Sequence, residues 1–387
     1  MTRPERAPRE PRPSASPGFW RHPLHYLLVA APLAIALERT GADPLWVFIA
    51  SGVAIVPLAG IMGEATETLA DRLGPGGGGL LNASFGNAAE LIIALMVLRR
   101  GPAMYPLVKA SITGSIIGNV LLVLGASILA GGIRHKRQTF HPTAASMGAT
   151  LLALATIGLI VPTIFYHIAS GSSGLSRVES RKLETLSEEI AVILAVIYLL
   201  SLAFALRTHR DLFAGLDTPA RAHATTGDAP RLAPALAWLI GSTIGVAILS
   251  ELLAGSVEPA AEALGMSKVF VGVIVVAIIG NAAEHSTAVL MALRDKLELS
   301  MQIAVGSGTQ IALFVTPVLV FASMFMGHER ALDLHFTLME IVSLLLSVGV
   351  LALVCFDGET HWMEGVMLIG VYLIFALAFY HLPAGSW

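Results

Sequence analysis

Charge is what this 387-residue chain has least of. Asp, Glu, Lys and Arg together make up 13% of it, against 55% hydrophobic residues and a mean hydropathy of +0.75. A soluble domain carries about twice that share of charge, so most of this surface must face lipid. Cysteine is nearly absent as well. Cys355 stands alone, which excludes a disulfide framework or a thiolate metal cluster within one chain and argues against redox chemistry. Neither sign of charge dominates, with 24 Lys and Arg against 27 Asp and Glu and a net charge of -3, so nothing points to a nucleic-acid partner. Signatures of catalysis are missing too: there is no His-Glu-x-x-His motif and no aspartate pair of an intramembrane hydrolase. Gly76 to Gly79, after Pro75, lack the Lys-Ser/Thr of a phosphate loop. No cofactor is called for. The partners that remain are membrane lipid and small ions, with a homo-oligomer left open.

What is present is a series of apolar runs. A bilayer core of about 30 Å takes about 20 residues of helix, and the sequence offers about eleven such spans, near 24–38, 45–71, 79–98, 106–131, 142–166, 188–206, 233–255, 268–293, 300–326, 334–356 and 363–382. The fold class expected is an all-α polytopic membrane protein. Residues 1–22, rich in Pro and Arg, read as a disordered basic tail, and 23–44 as a retained extra helix rather than a cleaved leader. An N-terminus in the cytoplasm puts Arg134, Lys136, Arg137, Arg207, Arg294 and Lys296 on that side, the positive-inside pattern of a bacterial inner membrane. Arg99, Arg100 and the Arg177 to Lys182 cluster are exceptions. Residues 207–232 hold the longest polar interruption and divide the chain into 45–206 and 233–387.

Those two halves repeat each other. Gly86-Asn87-Ala-Ala-Glu90 in the third span returns as Gly280-Asn281-Ala-Ala-Glu284 in the eighth. Glu67 to Gly74 aligns with Glu258 to Gly265, and Gly114-Ser115 with Gly306-Ser307, although the amides that follow, Asn119 and Gln310, are offset by one residue. Five spans per half force the second to insert upside down. Inverted repeats are the signature of secondary transporters, whose site lies near the midplane between repeats.

A carboxylate at that depth is costly unless it is paired, hydrated or protonated. Asn87 shares a helix face with Glu90, as Asn281 does with Glu284. Gly86 and Gly280, four residues before each acid, allow close helix approach or bare a carbonyl. Carboxylate, amide and carbonyl oxygens in two such clusters suit a hard cation, Ca²⁺ or Mn²⁺ better than Mg²⁺. Repetition with Asn and Gly argues against a mere bond between two protonated acids. Ser111, Ser115 and Asn119 recur along one face of the fourth span, and Ser307 and Gln310 along the ninth; they could line an ion path or tie helices together. Glu67 and Glu258 could be gates or interfacial charges, and His285, turned about 100° from Glu284, suits a supporting role.

The segments 78–91, 280–285 and 306–315 closely resemble the calcium/cation antiporter superfamily, with the Ca²⁺/H⁺ exchangers as the nearest branch. The resemblance covers nearly all of the chain from about residue 45. It implies an inverted-repeat fold preceded by one extra helix, acidic ligands at Glu90 and Glu284, and polar lining at Asn87, Asn281, Ser115, Asn119, Ser307 and Gln310. The long acidic segment of some relatives is not evident, because the 207–232 linker has mixed charge. The expectation is therefore exchange of Ca²⁺ for H⁺ by alternating access. A Na⁺/H⁺ or K⁺/H⁺ exchanger on the same scaffold and a passive cation channel are the alternatives.

Overall fold

The structure is a computed structural model that describes residues 23–170, 176–209 and 232–383. The basic tail and nearly all of the 207–232 linker lie outside the described residues. A 3₁₀ stretch, Pro23–Val29, runs into α1 (Ala30–Arg39). Then come α2 (Pro44–Phe85), α3 (Ala88–Leu98), α4 (Pro102–Arg134), α5 (Pro142–Ser170) and α6 (Arg177–Ala203). The second half holds α7 (Leu232–Ala263), α8 (Lys268–Leu293), α9 (Leu297–Phe325), α10 (Leu338–Val354) and α11 (Trp362–Tyr380). Among the described residues, eight helices are long and apolar enough to cross a membrane, while α3 and α10 are shorter apolar helices.

Local chemistry explains where these helices start. Asp43 caps α2 by accepting from the Leu45 N–H at 2.8 Å. Reciprocal capping boxes open α6, through Ser176 and Glu179, and α10, through Thr337 and Glu340. The structure departs from the expected spans in three places. The first is realised as a 3₁₀ segment plus the ten residues of α1; end to end these measure about 29 Å, near the thickness of the hydrocarbon core. Between the second and third, helical backbone continues without a loop, yet the chain folds back on itself. A Cβ added at Gly78 would lie 2.1 Å from the carbonyl oxygen of Ala70, eight residues earlier, where a straight helix would separate them by about 12 Å. The third span is broken instead at Gly86 and Asn87. Finally, the tenth helix begins at Leu338, because the chain before it is held extended by side chains of other helices.

Burial places α4 and α9 at the centre: 72% of the apolar window of each is buried, against 17% for α6 and 28% for α7 and α11. The outer helices present rows of exposed apolar side chains, including Val192, Ile193, Val196, Leu199 and Leu200 on α6 and Leu236, Ile240, Ile244 and Ile248 on α7. Such faces suit lipid. Two ends of the bundle are distinguishable. At one, His135 approaches Asp295 at 3.8 Å, Arg137 pairs with Glu359, and a two-residue strand at Gln138–Thr139 pairs with Glu359–Thr360. At the other, Lys268 pairs with Glu258 and reaches the Ala103 carbonyl at 3.5 Å.

Candidate functional site

Where α3, α4, α8 and α9 meet, six polar side chains from both halves form one continuous hydrogen-bonded chain. The Asn87 amide donates to Gln310 Oε1 at 2.6 Å, and its Oδ1 accepts from Ser307 Oγ at 2.7 Å. Asn119 Nδ2 donates to Ser307 Oγ at 3.1 Å and to Asn281 Oδ1 at 3.0 Å. Asn281 Nδ2 in turn donates to Ser115 Oγ at 3.0 Å and to the Ala277 carbonyl at 2.8 Å. The pattern is crossed: Asn87 of the first half bonds Ser307 and Gln310 of the second, while Asn281 of the second bonds Ser115 and Asn119 of the first. Asn119 and Asn281 are fully buried. In this structure these hydrogen bonds join helices of the two halves.

The two carboxylates border that network, and Glu284 meets it at Ser307. Glu90, in the first turn of α3, is buried and Glu284, in α8, is half-buried; in each, Oε2 is shielded from solvent and has no hydrogen-bond partner among the described residues. Asn119 Oδ1 is in the same condition. Gly280 is what lets the two acids meet. A Cβ there would sit 3.2 Å from Glu90 Cγ, so the Glu90 stem lies against the backbone of α8 one turn before Glu284. Gly86 has the corresponding role opposite α9, where a Cβ would come within 3.3 Å of Gln310 Oε1. Buried polar atoms are nearly always hydrogen-bonded, and unpartnered oxygens gathered from both halves have the chemistry to take up a cation or protons. Among the described residues no group of three or more His, Cys, Asp or Glu side chains could hold a metal; the ligands here are two carboxylates among amides and hydroxyls.

The backbone is irregular at the same level. In α4 a π-helical turn, Gly118–Val123, follows Ser115, and in α9 another, Ile311–Val315, follows Ser307. Such turns occur often at functional sites. A profile described as sodium/calcium exchanger protein matches residues 44–207 and again 234–381. The chain belongs to the sodium/calcium exchanger family. Among its relatives, the Ca(2+)/H(+) antiporter of Synechocystis sp. is 44% identical over 369 residues, which cover 92% of this chain and 96% of that protein. The Ca(2+)/H(+) antiporter ChaA of Bacillus subtilis is 39% identical over 364 residues, covering 92% and 99%. The solved structure of native YfkE superposes with a TM-score of 0.77 at 36% identity and covers 93% of this chain and all of that one.

Outside the centre of this exchanger-family fold, Glu258 is half-buried and ion-paired with Lys268 next to the turn between α7 and α8. Glu67 is half-buried near the bend of α2. The structure does not bring either of them into the central network. His285 is half-buried, with Nε2 shielded and without a hydrogen-bond partner among the described residues.

A second polar cluster escaped the sequence reading. Lys109 on α4 is buried, with Nζ 2.9 Å from Asp333 Oδ1 and 2.6 Å from the His335 carbonyl oxygen. One turn along, Thr113 Oγ1 donates to Glu340 Oε1 at 2.9 Å, while Glu340 Oε2 accepts from the Thr337 N–H at 2.9 Å and its hydroxyl at 2.7 Å. Burial alone would raise the Asp333 carboxyl, but Lys109 beside it and the His335 N–H overcome that and hold it below the usual aspartate range. Burial, with Lys109 adding to it and Asp333 opposing, pushes the His335 imidazole down to about 4. A lone lysine within the apolar run of α4 was the available signal, as was the Thr337-x-x-Glu340 capping pattern.

Proposed function

We propose that this protein is a secondary transporter that exchanges Ca²⁺, or a similar divalent cation, for H⁺ by alternating access. The observation that carries this reading is the pair Glu90 and Glu284, one from each half, packed across Gly280 with an oxygen of each left unpartnered while the amides around them are engaged. Two carboxylates without a counter-charge are the expensive state in a low-dielectric interior. The site therefore holds either one divalent cation between two ionised acids or protons on both. That exclusion couples the two fluxes. With these two acids alone changing protonation, two protons exchange for each Ca²⁺ and the cycle is electroneutral.

The halves 45–206 and 233–387 act as inverted repeats around the site, with α1 as the extra helix; the crossed bonding of Asn87 and Asn281 and the two separate matches to the family profile support this. Asn87, Asn281, Gly86 and Gly280 complete the cation and proton site. Ser115, Asn119, Ser307 and Gln310 release their mutual bonds to face the ion during the cycle, and Glu67 and Glu258 guard access from opposite ends. Membrane lipid surrounds the apolar outer faces. The protein resides in the inner membrane, with the end bearing Arg134, Arg137 and Arg294 in the cytoplasm together with the N-terminus.

Proteoliposomes with an imposed pH gradient test this directly. Proton-driven Ca²⁺ uptake that either Glu90→Gln or Glu284→Gln abolishes is the expected result. Robust Na⁺ movement without Ca²⁺ movement would replace the substrate, and transport untouched by either substitution would remove the site.

A further inference from the structure

α4 and α11 approach each other more closely than side chains would allow. A Cβ added at Gly365 would lie 2.5 Å from the backbone nitrogen of Leu129, and one at Gly132 would lie 2.7 Å from that of Trp362. Glycines on both helices thus set backbone against backbone. Such a seam has no side chains of its own to fill its flank, and an open groove of about 690 Å³ runs beside it, lined by Leu129, Gly132, Ile133, Lys136 and Trp362. That volume is in the range of small-molecule sites. Ile133 and Trp362 are 73% and 50% exposed along it.

The groove passes from apolar to charged along its length. Leu129 and Ile133 are one turn apart in α4, Trp362 opens α11, and Lys136 lies two residues beyond the end of α4. An acyl chain, the membrane–water boundary and a headgroup follow in the same order, since tryptophan favours that boundary and lysine carries its charge out among headgroups. The charge there is unbalanced. Arg134 and Lys136 are exposed, and among the described residues no ion pair involves either. The carboxylates near them are engaged: Glu359 with Arg137, Glu364 with the Thr360 hydroxyl, and Asp357 with the Glu359 N–H at 3.3 Å. A zwitterionic headgroup brings an ammonium as well as a phosphate, and no acid lines the groove to receive it. An anionic headgroup brings only the charge that Lys136 lacks.

We propose that this groove binds one anionic phospholipid, with its phosphate on Lys136, its glycerol backbone at Trp362 and an acyl chain along Leu129 and Ile133. The site belongs to the leaflet at the end bearing Arg134 and Arg137. It stands apart from the central acids and depends neither on the ion carried nor on the direction of exchange.

The test uses the full-length protein in nanodiscs of phosphatidylethanolamine that contain increasing fractions of phosphatidylglycerol brominated on its acyl chains, with tryptophan fluorescence as the readout. In parallel discs brominated phosphatidylethanolamine replaces it, and the difference from Trp362→Phe isolates the Trp362 signal. Brominated phosphatidylglycerol is expected to quench Trp362 at a lower mole fraction than brominated phosphatidylethanolamine. Lys136→Gln raises the half-quenching mole fraction of phosphatidylglycerol about fivefold, the weight of one basic side chain at an anionic membrane surface, and Lys136→Arg restores it. Equal quenching by the two lipids, or quenching unchanged in Lys136→Gln, overturns the proposal and leaves the groove as ordinary lipid contact. No quenching by either lipid overturns it in favour of a second copy of the chain covering the groove, and relief of quenching by added inorganic phosphate overturns it in favour of a free anion.

Discussion

Four buried or half-buried acids in this structure fall into two kinds according to what is left over once their neighbours are counted. Glu340 has donors on both oxygens, and Asp333 has Lys109 and a backbone N–H. Glu90 and Glu284 each keep an oxygen with no hydrogen-bond partner among the described residues. The difference predicts opposite outcomes from the same substitution. Glu340→Gln loses charge-assisted bonds to Thr113 and Thr337 and costs about 1–3 kcal/mol, seen as a lower Tm in detergent. Glu284→Gln leaves Tm unchanged or raised, since it removes a desolvated charge, and stops proton-driven Ca²⁺ flux. A second prediction concerns Asn281, whose amide joins Ser115 and Asn119. Asn281→Ala strands both and costs about 2–4 kcal/mol, and the paired loss of transport distinguishes it from Glu340→Gln. At this scale the repeated Gly-Asn-Ala-Ala-Glu cluster was legible in the sequence, because repetition in an apolar setting has few other causes. Which polar groups would bond each other was not legible: Ser115 and Asn119 at helical spacing suit a tie and a lining equally well, and the choice depends on what the facing helices present.

Among elements, the extended chain between α9 and α10 is the least expected. Leu332, Leu334 and Phe336 alternate inward and are buried, and the backbone N–H of each is met by a hydroxyl from a different helix, Ser323, Ser187 and Thr163 in turn. That explains why the tenth helix starts late: inside a membrane protein, irregular backbone persists only where other groups satisfy it. Lys109 fastens α4 to this segment. Lys109→Met leaves Asp333 buried without its counter-charge and costs about 3–5 kcal/mol, measured as thermal stability, with Lys109→Met/Asp333→Leu recovering part of the loss. His335, stacked on Tyr166 with ring centroids 3.7 Å apart, sits in the same segment. Its imidazole is held to about 4, below its ordinary value near 6.5. Protons are therefore taken up first by the unfolded chain, and stability is complete above about pH 6.5 and declines as pH falls toward 4. His335→Gln is expected to flatten that part of a Tm profile against pH; an unchanged slope would assign the acid sensitivity elsewhere. The sequence pattern read 334–356 as one apolar span because hydropathy weighs side chains and is blind to backbone bonding. The gap it left between residues 71 and 79 falls at the α2 bend, but it did not show the break at Gly86 and Asn87, since a single Gly-Asn step within an apolar run carries no distinct stop signal.

For the whole molecule, the account is that two halves of opposite orientation place one glutamate each at a shared centre, where a divalent cation and protons exclude each other. Hydropathy made the all-helical membrane class readable, and the internal repeat is what the proposed two-part organisation rests on. Those properties belong to long stretches and survive errors of a few residues at helix ends. Mutual exclusion itself is tested most directly by titrating Ca²⁺ into the purified protein by calorimetry, in buffers of differing ionisation enthalpy, at a pH where the ion-free site is protonated. The account predicts release of about two protons for each Ca²⁺ bound, with binding lost or greatly weakened in Glu90→Gln and in Glu284→Gln. Tight Ca²⁺ binding that releases no protons, or that persists unchanged in both variants, would contradict it.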